Sequence, residues 1–326
     1  MKTIKILLIS MITLASLTLV SCGKANVDSN GCYSDFDEAN KVANKKNQDM
    51  LIFVTMNGDD AYSQSFTDTI IRNEKFKDEI ASKYVVVRMD FSQSSYEATV
   101  AAEDTNDTAK KNAEKRADMM QRNTNFANLL NVTVTPITYL FSKEKYLITS
   151  LYYDSAEKSY EEFKYLLDSK ADSISEMHKM IYQTKIGTPE EKMSAINDLY
   201  EATAPDARHF LVDLLSSTKK IDPSNKSGLL GKLIYAAADA KSIIGMNKGD
   251  ARYAVDAYLA LENEDSVAPY EKQQAIYTAA YLCSMTELED LSVVIGYLNK
   301  AISIYPESEE VPAIQHVIEA LTANGQ

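Results

Sequence analysis

The strongest constraint on how this chain folds is the run Leu51-Ile52-Phe53-Val54. Four consecutive apolar residues without alternation suit a strand covered on both faces, which requires layers on either side of a sheet. The turn Asn57-Gly58-Asp59-Asp60 follows and starts a helix whose inner face is Phe66, Ile70 and Ile71, with a break at Asn73 before a short segment, Glu74 to Ser82. Tyr84 to Met89, YVVVRM, predicts a second buried strand. Before the first strand, Ser34 is placed to cap a helix whose first turn holds Asp35, Asp37 and Glu38, where the helix dipole favours them. Phe36, Ala39 and Ala43 give that helix one apolar stripe, and the polar run Lys45 to Asp49 ends it.

Asp90 to Arg122 has a helical second half with Ala109, Ala113, Ala117 and Met120 on a narrow stripe, which predicts a solvated surface insertion over about 92–122. Phe126, Leu129 and Leu130 read as the inward side of a helix end. Val132 to Phe141 reads as a strand, yet Pro136 lies inside it. Proline cannot donate in a sheet interior, so a cis bond at a strand entrance is the simplest geometry. Ser142 to Lys145 then turns the chain into Tyr146 to Tyr153 as an antiparallel pair, and a helix over Glu157 to Leu167 closes the unit.

The order is helix, strand, helix, strand, helix, strand, strand, helix, with Thr135-Pro136 opening the third strand. Over roughly 34–170 this resembles the thioredoxin fold, in the form found in periplasmic thioredoxin-like proteins. In the register set by Phe66, Ile70, Ile71, Asn73 and Phe76, the resemblance places the two redox cysteines of that family on Asp60 and Ser63, its usual tryptophan on Asp59 and its buried acid on Val54. Thiol-disulfide exchange needs a thiolate, and neither a carboxylate nor a hydroxyl supplies one. The expectation is a redox-inactive member, not an enzyme. Asp60 and Ser63 have a purely structural reading as a capped helix start. They also have a functional one, because the resemblance implies that the residue before the cis proline offers its backbone to an extended peptide. Asp59, Asp60, Tyr62, Ser63, Thr135 and Pro136 are then the candidate peptide-binding residues. The rival expectation is an oxidoreductase using Cys32, the single thiol of this region, expected in a loop before the first helix.

From residue 174 to the end no strand signal occurs. Helices are predicted over 174–185, 189–202, 205–217, 228–244, 250–262, 269–285, 288–304 and 309–323, broken at Gly187-Thr188-Pro189, Asp222-Pro223-Ser224, Asn247-Lys248-Gly249 and Tyr305-Pro306. Small and aromatic residues share faces, as in Ile276, Ala279, Ala280 and Cys283. Leu298, Ala301 and Pro306 have the spacing of the second helix of a tetratricopeptide repeat. The expectation is an all-helical, repeat-like domain over 174–326, whose units bury their faces only by stacking.

Lys2 and Lys5 precede an apolar run, Ile6 to Val20, that suits a secretory signal over 1–21. It ends in Leu19-Val20-Ser21-Cys22, which resembles the lipobox of bacterial lipoproteins. That implies a lipid on Cys22, a tether over 22–33, and membrane anchoring in the cell envelope. Gly23 after the cysteine resembles outer-membrane sorting. A net charge of −13 and a pI near 4.8 exclude phosphate-backbone binding as a main activity, so no nucleic acid partner is expected. Cys32 and Cys283 could pair in an oxidising envelope compartment, but they fall in different halves with no CxxC, and the favoured expectation is two separate thiols, Cys283 buried in a helix. His178, His209 and His316 are isolated, Ser227 to Lys232 departs from a phosphate loop, and no metal or cofactor motif is legible. The reading is a membrane-anchored polypeptide-binding or scaffolding module.

Overall fold

A computed structural model of the chain describes residues 27–100, 106–152 and 159–324. The signal segment and the lipid site at Cys22 lie outside them. The chain forms a mixed five-stranded sheet with helices on both faces, followed by a region built of helices.

The first unit comprises β1 (Cys32–Tyr33), α1 (Phe36–Lys46), β2 (Met50–Thr55), α2 (Ala61–Phe66), a π-helical turn (Thr67–Ile71), α3 (Phe76–Glu79), β3 (Val85–Asp90), α4 (Gln93–Glu97), α5 (Asp107–Leu129), β4 (Ile137–Phe141), β5 (Leu147–Tyr152) and α6 (Tyr160–Asp168). The sheet order is β1-β3-β2-β4-β5. β1 and β2 run parallel to β3, whereas β4 runs antiparallel to both β2 and β5. β2 is central and all six of its residues are buried, which is why its sequence shows no alternation. Its side chains still divide between faces. Leu51 and Phe53 meet Phe66, Ile70, Ile71 and Phe163, while Met50, Ile52 and Val54 meet Phe36, Ala39 and Ala43. Phe66 stands edge-on to Phe53 at 5.1 Å and to Phe163 at 5.6 Å. Burying each such ring contributes about 1.5–3 kcal/mol, so α2 and α6 are held to the sheet mainly by these contacts.

Three expectations need correction. The segment before Ser34 is not wholly a tether: Val27 bridges to Tyr33, and Cys32 and Tyr33 add an edge strand beside Val86 and Val87. The cap of α1 is Asp35, one residue later than Ser34, with its carboxylate accepting from the Glu38 N–H. Residues 92–122 are not a detached insertion, because α5 runs unbroken to Leu129 and its buried residues are Ala113, Met120, Asn123 and Ala127, while Ala117 is exposed. The seven-residue steps of 113, 120 and 127 keep these residues on one stripe of the helix, and Phe126 stacks on Phe36 at 4.0 Å. The helical region follows directly: two residues separate α6 from α7, which starts at Ala171, and Ile174 packs against the sheet core.

The helical region holds α7 (Ala171–Gln183), α8 (Pro189–Ala202), a 3-10 segment (Pro205–Leu211), α9 (Val212–Ile221), α10 (Leu230–Asn247), α11 (Ala251–Leu259) with a 3-10 extension (Ala260–Asn263), α12 (Pro269–Met285), α13 (Leu291–Ile304) and α14 (Val311–Asn324). Prolines at the first turns of α8 and α12 fix two starts as predicted. Thr188 and Glu191 complete a capping box on α8. The predicted helix over 205–217 is instead a 3-10 segment leading into α9. Ala279, Ala280, Cys283, Leu298 and Ala301 share one core.

The two regions meet along a packed seam. Phe210 lies 5.6 Å from Phe126 and 5.1 Å from Phe141. Tyr146, from the β4–β5 turn, is buried in the helical core. His178 Nε2 meets the Asp49 carboxylate at 3.0 Å, and Lys185 meets Glu144 at 2.6 Å.

Candidate functional site

The site is built where β2 ends and α2 begins. The Met56 N–H donates to Ser63 Oγ at 3.0 Å and the Asn57 N–H donates to Asp90 Oδ1 at 2.8 Å. Gly58 takes φ +91°, a left-handed conformation that glycine adopts at little cost. Asp60, extended at φ −127°, then caps α2. Its Oδ1 accepts from the Tyr62 N–H at 3.1 Å, and Oδ2 accepts from the Ser63 N–H at 3.0 Å and the Ser63 hydroxyl at 2.6 Å. Oδ2 also accepts from the Thr135 hydroxyl at 3.2 Å. Burial alone would raise the Asp60 carboxyl, but the hydrogen bonds from Ser63, Tyr62 and Thr135 outweigh it and hold the group below its usual range.

The candidate residues divide accordingly. Asp60 and Thr135 are brought together, and the Thr135-Pro136 bond is cis at the entrance of β4. Tyr62 is half exposed beside them. Asp59 turns away to accept from the Gln93 N–H at the start of α4. Ser63 is corrected as a contact residue: it is fully buried, and its hydroxyl is used by Asp60 and Met56 within the turn.

Beside Thr135 lies a cleft of about 270 Å³ that the sequence did not disclose. Its lining includes Met56, Tyr96, Ala127, Val132 and Val134. Met56, Tyr96 and Val134 are exposed apolar side chains. Among the described residues, the backbone N–H and C=O groups of Thr133, Val134 and Thr135 make no hydrogen bond. Thr135 thus serves both features, its hydroxyl bound to Asp60 and its main chain bordering the cleft. The signal for the cleft was present but misread. Val132 to Thr135 looks continuous with β4, yet Pro136 stops the ladder and leaves these residues outside the sheet. Tyr96 sat in the supposed insertion.

Cys32 is corrected as well. It lies in β1 rather than in a loop, with 2% of its surface exposed. Burial, helped by the Asp28 carboxylate and only partly opposed by Arg88, pushes its thiol far above the ordinary range. Cys283 is buried in α12, and both cysteines are free. Among the described residues, no group of side chains is arranged to hold a metal ion, and no helix is long and apolar enough to cross a membrane.

Comparison with known proteins gives two findings. Residues 229–326, which start just before α10 and extend past α14, match a family described as an uncharacterised protein C-terminal domain. No curated protein matches. Among solved structures, the chain is similar to one described as "DsbH Oxidoreductase", at 12% identity and a TM-score of 0.30, covering 47% of this chain and 90% of that one.

Proposed function

We propose that the sheet unit is a thioredoxin-like domain without dithiol chemistry, that it binds extended polypeptide segments, and that Cys22 tethers it by a lipid in the bacterial cell envelope, at the outer membrane. The helical region, repeat-like in its stacked hairpins, serves as a scaffold beside it. The observation that carries the reading is the main chain of Thr133 to Thr135, unpaired among the described residues, along an apolar cleft. Unpaired backbone groups with side-chain pockets on either side are what strand addition uses: the main chain supplies affinity, and the pockets select alternate side chains. The negative charge of Asp60, which bonds the Thr135 hydroxyl, favours segments carrying basic residues. This binding mode involves neither a thiol nor a cofactor, and the acidic surface disfavours nucleic acid.

The test is a library of extended peptides, basic and neutral, measured against the purified chain by fluorescence anisotropy. Saturable binding that falls at least tenfold in Val134→Asp and in Tyr96→Ala supports the reading. Both positions are exposed, so neither change should affect folding. Absence of binding across the library, or affinity unchanged in both variants, would overturn it.

A further inference from the structure

A cavity of about 800 Å³ is lined by α5, the end of β3 and the residues about α4, and it shares no lining residue with the Thr135 cleft. The sequence of α5 sets its character. That helix carries Lys110, Lys111, Lys115, Arg116 and Arg122 against Asp107, Glu114 and Asp118, so it is positive in a chain whose net charge is −13. Lys115 and Arg122 are seven residues apart, which places them on one face of the helix about 10 Å from each other along its axis. Both line the cavity together with Arg116, and Arg88 of β3 joins them from the sheet.

Two of the three carboxylates in the lining are already engaged. Asp90 Oδ1 accepts from the Asn57 N–H at 2.8 Å, and its Oδ2 meets Arg88 at 3.3 Å. Asp35 caps α1 and meets Arg122 at 2.5 Å. The basic side chains are less well matched. Arg116 donates from Nε to the Ala98 carbonyl at 2.7 Å, which fixes its guanidinium beside the end of α4 without giving it a counter-charge. Among the described residues, neither Arg116 nor Lys115 forms an ion pair, and the contact of Arg88 with Asp90 is long for a charged pair. Arg122 keeps further donors beyond the one that meets Asp35. Asp118 is the remaining carboxylate of the lining, and it too is without a partner among the described residues. Positive charge is thus gathered at this space in excess of its counter-ions, and such a cleft concentrates anions.

We propose that this cavity binds a small aliphatic dicarboxylate. One carboxylate is held by Lys115 and Arg116 at the α4 end, the other by Arg122 two turns further along α5, and Arg88 contributes from the sheet. Two anionic groups are called for because the cations are spread along the helix rather than gathered at one point. Guanidinium forks match a carboxylate through parallel hydrogen bonds. Volume agrees, since small-molecule sites occupy about 300–1,000 Å³. Among the described lining residues none is aromatic, so recognition is by charge and not by ring stacking.

The experiment compares adipate with hexanoate, which differ in one carboxylate, and with inorganic phosphate, on the purified full chain by isothermal titration calorimetry at low ionic strength. Adipate is expected to bind saturably, at least tenfold tighter than either, and to weaken as salt is added. Lys115→Gln and Arg116→Gln, both at exposed positions, should each weaken adipate severalfold. Asp118→Asn, which removes a like charge from the wall, should tighten it. In the unmodified chain, the ¹⁵Nε resonance of Arg116 should move with adipate and stay still with hexanoate, a readout independent of how the variants fold. No saturable binding of adipate, equal affinity for hexanoate or phosphate, affinity unchanged in both glutamine variants, or an unmoved Arg116 resonance would each overturn the proposal. Val134→Asp leaves this binding untouched, so its outcome is separate from that of peptide binding.

Discussion

Replacing Asp60 by alanine removes four hydrogen bonds at once and tests whether the β2–α2 junction is organised as described. The N-cap contacts to the Tyr62 and Ser63 N–H groups are worth about 1 kcal/mol together. The Ser63 hydroxyl, fully buried, loses its acceptor, which adds about 1 kcal/mol. The longer Thr135 contact, partly exposed, adds only a few tenths. The expected loss is about 2 kcal/mol, measured as a shift in the urea midpoint at constant slope. Asp60→Asn keeps one acceptor oxygen and should lose about half of that. The pH dependence gives a second, independent check. The folded carboxyl lies below its ordinary value of 3.8, so its contribution is complete above that value and fades as the pH falls through the lower folded one. The stability gap between the parent and Asp60→Ala should therefore be full at pH 7 and close in strong acid. A loss under about 0.5 kcal/mol, well below the range for a lost cap, or a gap that does not respond to pH, would refute the reasoning.

Three further outcomes follow from the geometry. Cys32 should resist a thiol reagent in the folded chain and react only in denaturant, because burial in β1 both covers the sulfur and keeps it protonated; labelling with an aromatic disulfide, with and without urea, reads this directly. Gly231→Ala should cost about 3 kcal/mol, since the new Cβ would sit 2.0 Å from the Ser266 carbonyl oxygen and force main chain apart, whereas Gly296→Ala, with open space around it, should be neutral or slightly stabilising in the same unfolding assay. Between pH 7 and 5 the chain should lose stability through His209: its folded pKa is depressed by burial, so its contribution is complete above the unfolded value near 6.5 and declines as the pH falls toward the folded one. Asp49 and Asp239, raised by burial above 3.8, act in the opposite direction at lower pH, and His209→Leu should flatten only the upper part of the curve in thermal scans across pH.

What the sequence disclosed and what it hid have a common physical basis. β2, β3, α1, α8 and α12 were legible because local pattern and tertiary role agree in them. An all-apolar run is a doubly covered strand, and a proline after a capping residue is a helix start. Asp60 was legible as a cap for the same reason, since its partners Tyr62 and Ser63 are two and three residues away. The Thr135 contact, 75 residues away, came into view only through the proline. Features made by distant chain were not legible at all. The pairing of Cys32 with Val86, the seam ring of Phe210, and the ion pair of His178 with Asp49 depend on separations that carry no local periodicity. α5 was misjudged because a stripe of alanines looks like thin cover, whereas the helix runs on to Leu129 and its Phe126 stacks on Phe36 of α1.

The capped turn at Asp60 and Ser63 also bears on how the Thr135 segment is held. Met56, Ser63, Asp60 and Thr135 form one connected run of hydrogen bonds, from the end of β2, through the start of α2, to the loop before β4. Each member other than Thr135 is held by partners within eight residues, so the run is rigid on the α2 side and presents a fixed acceptor to the Thr135 hydroxyl. That contact orients the Thr135 side chain toward α2, and Thr135 also lines the cleft. The Asp60 carboxylate and the buried Ser63 hydroxyl give this junction its cap. On the proposed reading, a segment bound along Thr133 to Thr135 is held by strand-like main-chain contacts, and its exchange depends on how many of them it forms. Affinity there should rise with the number of main-chain bonds a segment can form.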